Sequence, residues 1–500
     1  MDENRLDIEI HRDTKEPVHL QIQRGIRLAL STGTLRPLDQ LPPVRLLAAQ
    51  LGVNRLTVLK ALSALRRCGA IIGRRGRGYT VADNPLQKLK GTSEWPPSRR
   101  LDPLLLGDDI EPTRAGKAET SFEALSAVKQ PASFFSFAAG SPAPEFYPRA
   151  ELKRLAARAI GTSRPWSFGY AAPEGLPELR ERLLERLQLR GINLTGQELL
   201  ITSGAQQALD LLARSMPRRW GIVLAESPTY FGGLAAFERS GFAVHGIPLD
   251  GNGVNLDSLE RRLRRTAYDL LYLIPTFHNP TGLTTGEARR QELLRLAASH
   301  NLLVVEDDPF SEIRFIGKPV RSLMQLRGAT KVLQIGSFSK SLMPALRLGW
   351  ALGPPEVIGP MKAAKAAGDI CSSTLSQLLV AHYLAFGVYD RHLRKIRREY
   401  RKRCKAMVTA ISRHFPVEVR HTVPKGGLYL WVELPERVNA VNLLLLARRA
   451  GVDYMPGPPF FPAGRRGTNC LRLNFSLHAV QEIYRGMQIL GELFHRALAS

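Results

Sequence analysis

The sequence predicts an α/β protein. A small basic helical unit comes first, then a linker, then a large body with a mostly parallel sheet between helices and a smaller C-terminal α/β part. Three observations predict this. The chain has 500 residues, more than one core holds at roughly 150 residues per domain. Residues 134–500 alternate short apolar runs with amphipathic segments, the pattern of βα units on a parallel sheet. Residues 1–83 are instead rich in basic and branched residues, broken by caps and glycine stops.

The first unit can be read element by element. Pro17–Leu30 places Leu20, Ile22, Ile26, Leu28 and Leu30 at spacings that one helix accommodates. Leu41-Pro42-Pro43 opens a second helix, Val44–Leu51, because proline costs little in a first turn. Gly52 stops it. Asn54 caps a third helix, Arg55–Cys68, which Gly69 closes. Helix, short turn, helix is the helix-turn-helix pattern. Ala70–Ile72 and Tyr79–Val81 then read as two short strands around the basic turn Gly73–Gly78, a wing.

Charge supports a function for this unit. The chain carries 70 Lys+Arg against 45 Asp+Glu, a net +25. Such a field attracts polyanions but does not specify a fold, and an arginine-rich composition explains the total equally well. Position is more informative. Between Leu41 and Asp83 the bases are Arg45, Arg55, Lys60, Arg66, Arg67, Arg74, Arg75 and Arg77, and the single acid is Asp83. A compact unit so unbalanced repels itself unless a polyanion faces it. A solvated basic face on an interaction module is the alternative.

The run LPPVRLLAAQLGVNRLTVLKALSALRRCGAI resembles the winged helix-turn-helix of the GntR family of bacterial regulators, over about residues 15–82. The resemblance implies a double-stranded DNA operator as partner. It implies that Arg45 clamps a phosphate or a base edge, and that Arg55 and Thr57 enter the major groove. It puts Arg75 and Gly76, at the wing tip, in the minor groove. Arginine reads guanine bidentately, while threonine and backbone N–H groups position phosphates. Leu59 departs from the pattern, since many members carry arginine there.

Residues 84–133 mix Pro, Gly, Ser and both charges without a period and read as a linker, with one short helix near Phe122–Val128. Beyond them, Leu199–Thr202, Ile222–Ala225, Leu270–Ile274, Leu302–Glu306 and Val332–Ile335 read as strands. The segments that follow them carry chemistry. Thr202-Ser203-Gly204-Ala205 precedes a helix, Ala208–Arg214, whose free N–H groups form an anion site. Ser227-Pro228-Thr229-Tyr230 offers an aromatic face. His278-Asn279-Pro280-Thr281-Gly282 offers an amide, and Glu306-Asp307-Asp308 a carboxylate. Gly336-Ser337-Phe338-Ser339-Lys340, with Arg347 seven residues on, sets hydroxyls and a guanidinium beside an amine. That combination suits a phosphorylated aldehyde held as an imine. Open α/β sheets bind ligands past the C-terminal ends of their strands.

Together these segments resemble the fold-type I aminotransferases, over roughly Phe134–Ser500. The resemblance implies pyridoxal 5'-phosphate as cofactor, carried by Lys340 as the catalytic lysine. Asp307 would hold the pyridine nitrogen, Asn279 the phenolic oxygen, and Tyr230 would lie over the ring. Phosphate would meet Ser203 or Gly204, Ala205, Ser337, Ser339 and Arg347. Tyr170, in GYAAPEG, resembles the tyrosine that reaches the phosphate of a neighbouring subunit. Arg472, in LRLNFS, resembles the arginine that forks onto a substrate carboxylate. One departure is Phe310, where the family commonly has a tyrosine bonded to the phenolic oxygen.

Reader (1–83), linker (84–133) and aminotransferase-like body (134–500) together match the MocR subfamily of regulators. That resemblance implies a homodimer with head-to-tail exchange and a small amino-compound effector, or the cofactor itself, sensed at Lys340. A working aminotransferase acting on an amino acid stays open beside it. Four scattered cysteines, Cys68, Cys371, Cys404 and Cys470, form no CxxC pair and argue against a disulfide scaffold or a Cys-type metal site. No apolar run approaches the ~20 residues of a membrane helix. The N-terminus MDENRLDIEI lacks an apolar stretch, so the expected place is the cytoplasm.

Overall fold

The computed structural model describes residues 8, 10, 17–31, 35, 38–67, 70–74, 78–82, 134–162, 168–216, 221–326, 328, 331–462 and 466–499. Contacts divide the chain into two compact units, Met1–Pro112 and Thr113–Ser500. The expected linker and its short helix near Phe122–Val128 lie outside the described residues, as do the wing-tip residues Arg75 and Gly76.

In the first unit α1 (Val18–Ser31), α2 (Val44–Gln50) and α3 (Arg55–Arg67) pack around Ile22, Ile26, Leu47, Val58, Leu62 and Leu65. Gly52 turns the chain after α2 at φ 59°. Asn54 Oδ1 then accepts the Leu56 N–H at 2.9 Å, capping α3 as its sequence suggests. β1 (Ile71–Arg74) and β2 (Gly78–Val81) pair antiparallel, Ile71 opposite Val81.

The second unit opens with β3 (Phe135–Ser136), α4 (Arg149–Thr162) and α5 (Pro177–Leu189). An eight-stranded sheet follows, built from β4 (Glu198–Thr202), β5 (Ile222–Ser227), β6 (Ala243–Asp250), β7 (Gly253–Val254), β8 (Leu270–Leu273), β9 (Leu303–Asp307), β10 (Val332–Ser337) and β11 (Gly349–Gly353). Its order is β4-β11-β10-β9-β8-β5-β6-β7. Pairing is parallel from β10 through β9, β8 and β5 to β6, while β11 runs antiparallel to both its neighbours. The central strands are buried along both faces, which explains their continuous apolar runs. One face packs on α6 (Ala205–Ser215), α7 (Phe231–Arg239) and α10 (Pro355–Gly368). The other joins the main core with α8 (Leu256–Arg265), α9 (Glu287–Ser299) and α11 (Thr374–Ala385).

A 27-residue helix, α12 (Val388–His414), leads to the smaller C-terminal part. There β12 (Arg420–His421), β13 (Tyr429–Glu433), β15 (Met455–Pro456) and β16 (Cys470–Asn474) form an antiparallel sheet. It is covered by α13 (Ala440–Arg449) and α14 (Val480–Ala499), while β14 (Val452–Asp453) pairs with β3. The body is thus α/β with a mostly parallel sheet, as the alternation of its sequence predicts.

Candidate functional site

Parallel pairing puts the C-terminal ends of β5, β8, β9 and β10 along one edge of the sheet. Asp307 closes β9 and is buried. Its Oδ2 accepts from Tyr272 Oη at 2.8 Å. Its Oδ1 is buried with no hydrogen-bond partner among the described residues. Burial, aided by the carboxylates of Asp308 and Glu226, pushes the Asp307 carboxyl up to about 7, against the pull of the Tyr272 bond. Two more acids stand buried nearby. Glu226 Oε2 accepts the Ile274 N–H at 2.6 Å. Glu306 lies 3.6 Å from the fully buried Arg290 guanidinium, yet burial still lifts its carboxyl to about 7.

Lys340 follows β10, and its Nζ donates to the Gly140 carbonyl at 2.6 Å. A Cβ placed on Gly140 would stand 2.7 Å from Tyr429 Oη and 3.7 Å from Lys340 Nζ. The bare glycine is what leaves room for the phenol beside the amine. Beside the lysine, the Ser339 N–H donates to Ser337 Oγ at 3.1 Å.

Arg472 is buried on β16. It donates to Asn279 Oδ1 at 2.9 Å and to the Ala138 carbonyl at 2.8 Å, and its charge lies 4.0 Å from the Tyr429 ring centroid. Its Nε has no partner among the described residues, and burial lowers its pKa. Tyr230 donates to Gln206 Oε1 at 3.1 Å. Burial, with Asp307 next, pushes its phenol up to about 12, and Arg472 and Arg347 oppose that within electrostatic reach.

The head of α6 makes the third corner. Gly204 precedes it at φ 93°. Arg347 Nη2 donates to the Ser203 carbonyl at 3.0 Å, and a Cβ on Gly204 would lie 2.9 Å from that nitrogen. Gly204 and Ala205 present N–H groups at a helix start, where no intrahelical acceptor exists. The Ser203 N–H is committed to Gln207 Oε1 at 2.7 Å, and its hydroxyl lies 3.1 Å from Ser372 Oγ. Gln207 is in turn fixed by Asp369 at 2.6 Å, whose carboxylate the buried Lys365 holds at 2.7 Å.

Lys340, Asp307, Asn279, Tyr230, Arg347, Arg472 and the Ser203–Ala205 turn therefore converge, with Ser337 and Ser339 beside the lysine. Tyr170 does not join them within one chain: it is 84% exposed. Sequence reasoning missed Tyr272 and Tyr429. Each is one tyrosine in an apolar strand, and a strand pattern alone does not say which hydroxyl meets a carboxylate or an amine. Phe310 is buried and packs edge-to-face on Tyr429, ring centroids 5.7 Å apart. Phe310, which lacks a phenol, thus stands against a tyrosine that has one. In the first unit Arg45 and Arg55 are exposed on the first turns of α2 and α3, and Thr57 is half-buried.

Fold and site define the class: a DNA-reader module joined to a cofactor-binding body of aminotransferase type. Comparison with known proteins agrees. Residues 144–490 match the family "Aminotransferase class I and II", and residues 19–81 match "Bacterial regulatory proteins, gntR family". The 2-aminoadipate transaminase of Thermus thermophilus is 38% identical over 77% of this chain and 95% of that protein. The probable rhizopine catabolism regulatory protein MocR of Rhizobium meliloti is 28% identical over 89% of this chain and 88% of that protein. The solved kynurenine aminotransferase of Pyrococcus horikoshii, in complex with PMP, superposes with a TM-score of 0.74 at 31% identity, covering 81% of this chain and 99% of that one. The chain belongs to the class I and II aminotransferase family and, with its gntR-type reader, to the MocR type of regulator.

The cofactor of this fold is pyridoxal 5'-phosphate. The residues fit it. A buried carboxylate keeps one oxygen free, a lysine amine stands on a glycine carbonyl, and a helix head with an arginine offers an anion cradle. Among the described residues no group of acids, histidines and cysteines could hold a metal, and no helix is long and apolar enough to cross a membrane.

Proposed function

We propose that the chain is a cytoplasmic transcription regulator that reads an operator with residues 1–83 and senses an amino compound, or the cofactor itself, in residues 134–500, the two joined by the linker 84–133. The observation that carries this is the pairing, in one chain, of a basic capped recognition helix with a buried site built for pyridoxal 5'-phosphate. Bound there, the cofactor supplies an aldehyde that captures primary amines and a ring that accepts electron density.

The chain's own groups do the rest. Lys340 provides the amine that holds the cofactor and yields it to an incoming amine. The free Oδ1 of Asp307 accepts the pyridine N–H, and Tyr272 orients that carboxylate. Asn279 and Tyr230 position the ring. Gly204, Ala205, the hydroxyls of Ser203, Ser337 and Ser339, and Arg347 bind phosphate, helped by the positive end of α6. Arg472, a buried cation without a carboxylate partner among the described residues, receives an effector carboxylate. Tyr170 is exposed, which suits a residue that completes the partner's site in a head-to-tail homodimer. Arg45, Arg55, Thr57 and the wing residues Arg75 and Gly76 contact DNA.

A working aminotransferase is the second reading, and the 38% identity to a transaminase favours it. Footprinting of the cofactor-loaded protein on the DNA upstream of its own gene, with and without a panel of amino acids and amines, separates the two. A regulator protects a site, and one of the compounds changes that protection. Failure to protect any DNA, together with turnover at an enzyme-like ~1–10³ per second, would establish the enzyme instead.

A further inference from the structure

Most of the positive charge lies outside the reader. Residues 134–500 hold 49 of the 70 lysines and arginines and 30 of the 45 acids, so 49 − 30 = 19 of the net +25 sits in the body. It is concentrated on α12 (Val388–His414). That helix carries ten lysines and arginines against two acids, Asp390 and Glu399.

Their spacing is helical. Arg391, Arg394, Arg398, Arg401 and Lys405 recur every three or four residues, with Lys395 and Lys402 alongside, and all seven are exposed. At 100° per residue they fall within an arc of about 120°, and they run for about 21 Å along the axis. The inward cations of the same helix are engaged: Arg397 donates to the Glu312 carbonyl and Arg403 pairs with Glu145. On the outward arc the single ion pair among the described residues is Arg398 with its neighbour Glu399, at 3.4 Å and with the arginine 77% exposed.

This face is costly for an isolated helix. Arg391/Lys395, Arg394/Arg398, Arg398/Lys402 and Arg401/Lys405 are like-charged i,i+4 pairs, each destabilising. A linear polyanion relieves all four together. We infer that the outward face of α12 is a second DNA contact surface, binding the phosphate backbone of the duplex that the reader engages. The inference rests on the DNA-reading function proposed above.

Other occupants fit less well. A second copy of this chain carries the same cationic excess. A lipid surface calls for apolar side chains beside the cations, and no large exposed hydrophobic residue lies on α12. Over 21 Å a duplex presents about a dozen phosphate charges, and their recognition needs no base contact.

The test uses the full-length, cofactor-loaded protein and two probes: a 40-base-pair duplex selected by the protein from a random pool, and a random-sequence duplex of equal length. Binding is followed by fluorescence anisotropy from 50 to 300 mM salt. The variant Arg394→Gln/Arg398→Gln/Arg401→Gln/Lys405→Gln should bind both probes at least tenfold more weakly at 150 mM. Its log K against log salt slope should flatten by about 3–4, at about 0.9 per lost phosphate contact. Discrimination between the probes should be retained. The matching variant with Arg394, Arg398 and Arg401 changed to lysine should keep the parent slope. Arg55→Ala should do the reverse of the glutamine variant, losing discrimination and altering the slope by about 1 or less. A glutamine variant with the parent's affinity and slope, and with parental circular dichroism and cofactor absorbance, overturns the second surface and leaves the reader standing. A glutamine variant that dissociates into monomers in sedimentation, with an unchanged salt slope, overturns it in favour of an interface between copies. A parent that binds neither duplex overturns the reader as well.

Discussion

Replacing Asp307 with asparagine should strengthen the cofactor-free body while weakening its hold on the cofactor. The Asp307 carboxyl stands at about 7 in the folded chain against an ordinary 3.8. A raised folded pKa means that the folded state binds the proton more tightly than the unfolded state. Its contribution to stability is therefore complete below pH 3.8 and is lost as pH climbs through 7. At 1.36 kcal/mol per unit, the loss is about 2 kcal/mol at pH 5 and about 4 kcal/mol at pH 8. Asparagine has no charge to desolvate, and its carbonyl still accepts from Tyr272. Its amide, placed where Oδ1 has no partner, costs about 1–3 kcal/mol at either pH. The difference between variant and parent should consequently move by about 2–3 kcal/mol in the variant's favour from pH 5 to pH 8. Chemical unfolding of the cofactor-free proteins at the two pH values measures that difference with the amide cost cancelled. Saturating pyridoxal 5'-phosphate at pH 8 should reverse the order, because only the parent offers a carboxylate to the ring nitrogen. If the variant–parent difference is the same at pH 5 and pH 8, Asp307 does not carry a raised pKa and the reasoning fails.

Three further outcomes are expected. Lys340→Ala should abolish the mass increment that borohydride fixes on the cofactor-loaded parent, and labelling of any other lysine in the parent would reassign the site. Phe310→Tyr should add a phenol that donates to the cofactor's oxygen and lower the midpoint of the visible-absorbance pH titration by roughly 1–2 units, the equivalent of one hydrogen bond to a charged group. An unchanged midpoint would place that phenol elsewhere. Arg472→Gln should weaken binding of α-amino acids at least tenfold while leaving amines without a carboxylate unaffected, and equal losses for both would remove its role as the carboxylate receiver.

Much of this protein was legible before any coordinates. Local signals sufficed where the chain makes its own caps: Asn54 before α3 and Gly52 after α2. The five anticipated strands appear within a residue or two at each end, because buried parallel strands leave uninterrupted apolar runs. What stayed hidden depends on partners distant in sequence. Tyr272 looks like any core tyrosine until β9 brings Asp307 alongside, 35 residues away. Tyr429 gains meaning from Gly140, nearly three hundred residues earlier, and from Phe310, whose missing hydroxyl is visible in the sequence while the neighbouring phenol is not. The buried Lys365, whose carboxylate partner steers Gln207 and through it the Ser203 amide, gives no local sign at all. Charge was misleading in the other direction. Local imbalance marks the reader, while most of the excess lies in the body.

The chain's route into the body has a consequence of its own. The described body begins at residue 134. Within eight residues, four successive carbonyls, at Ala138, Ala139, Gly140 and Ser141, accept from Arg472, Asn474, Lys340 and Ser476. This first described stretch of the body is thus fastened by Lys340 and Arg472, the side chains proposed to meet cofactor and effector, together with Asn474 and Ser476. In the proposed function Lys340 commits its amine to the cofactor, and the hydrogen bond that this amine donates to the Gly140 carbonyl is then given up. Occupation of the proposed site and the fastening of this one ribbon of backbone are thereby linked. Linkage is reciprocal, so to the extent that an amine loosens this ribbon and changes the grip on DNA, occupied DNA must change the grip on the amine by the same factor.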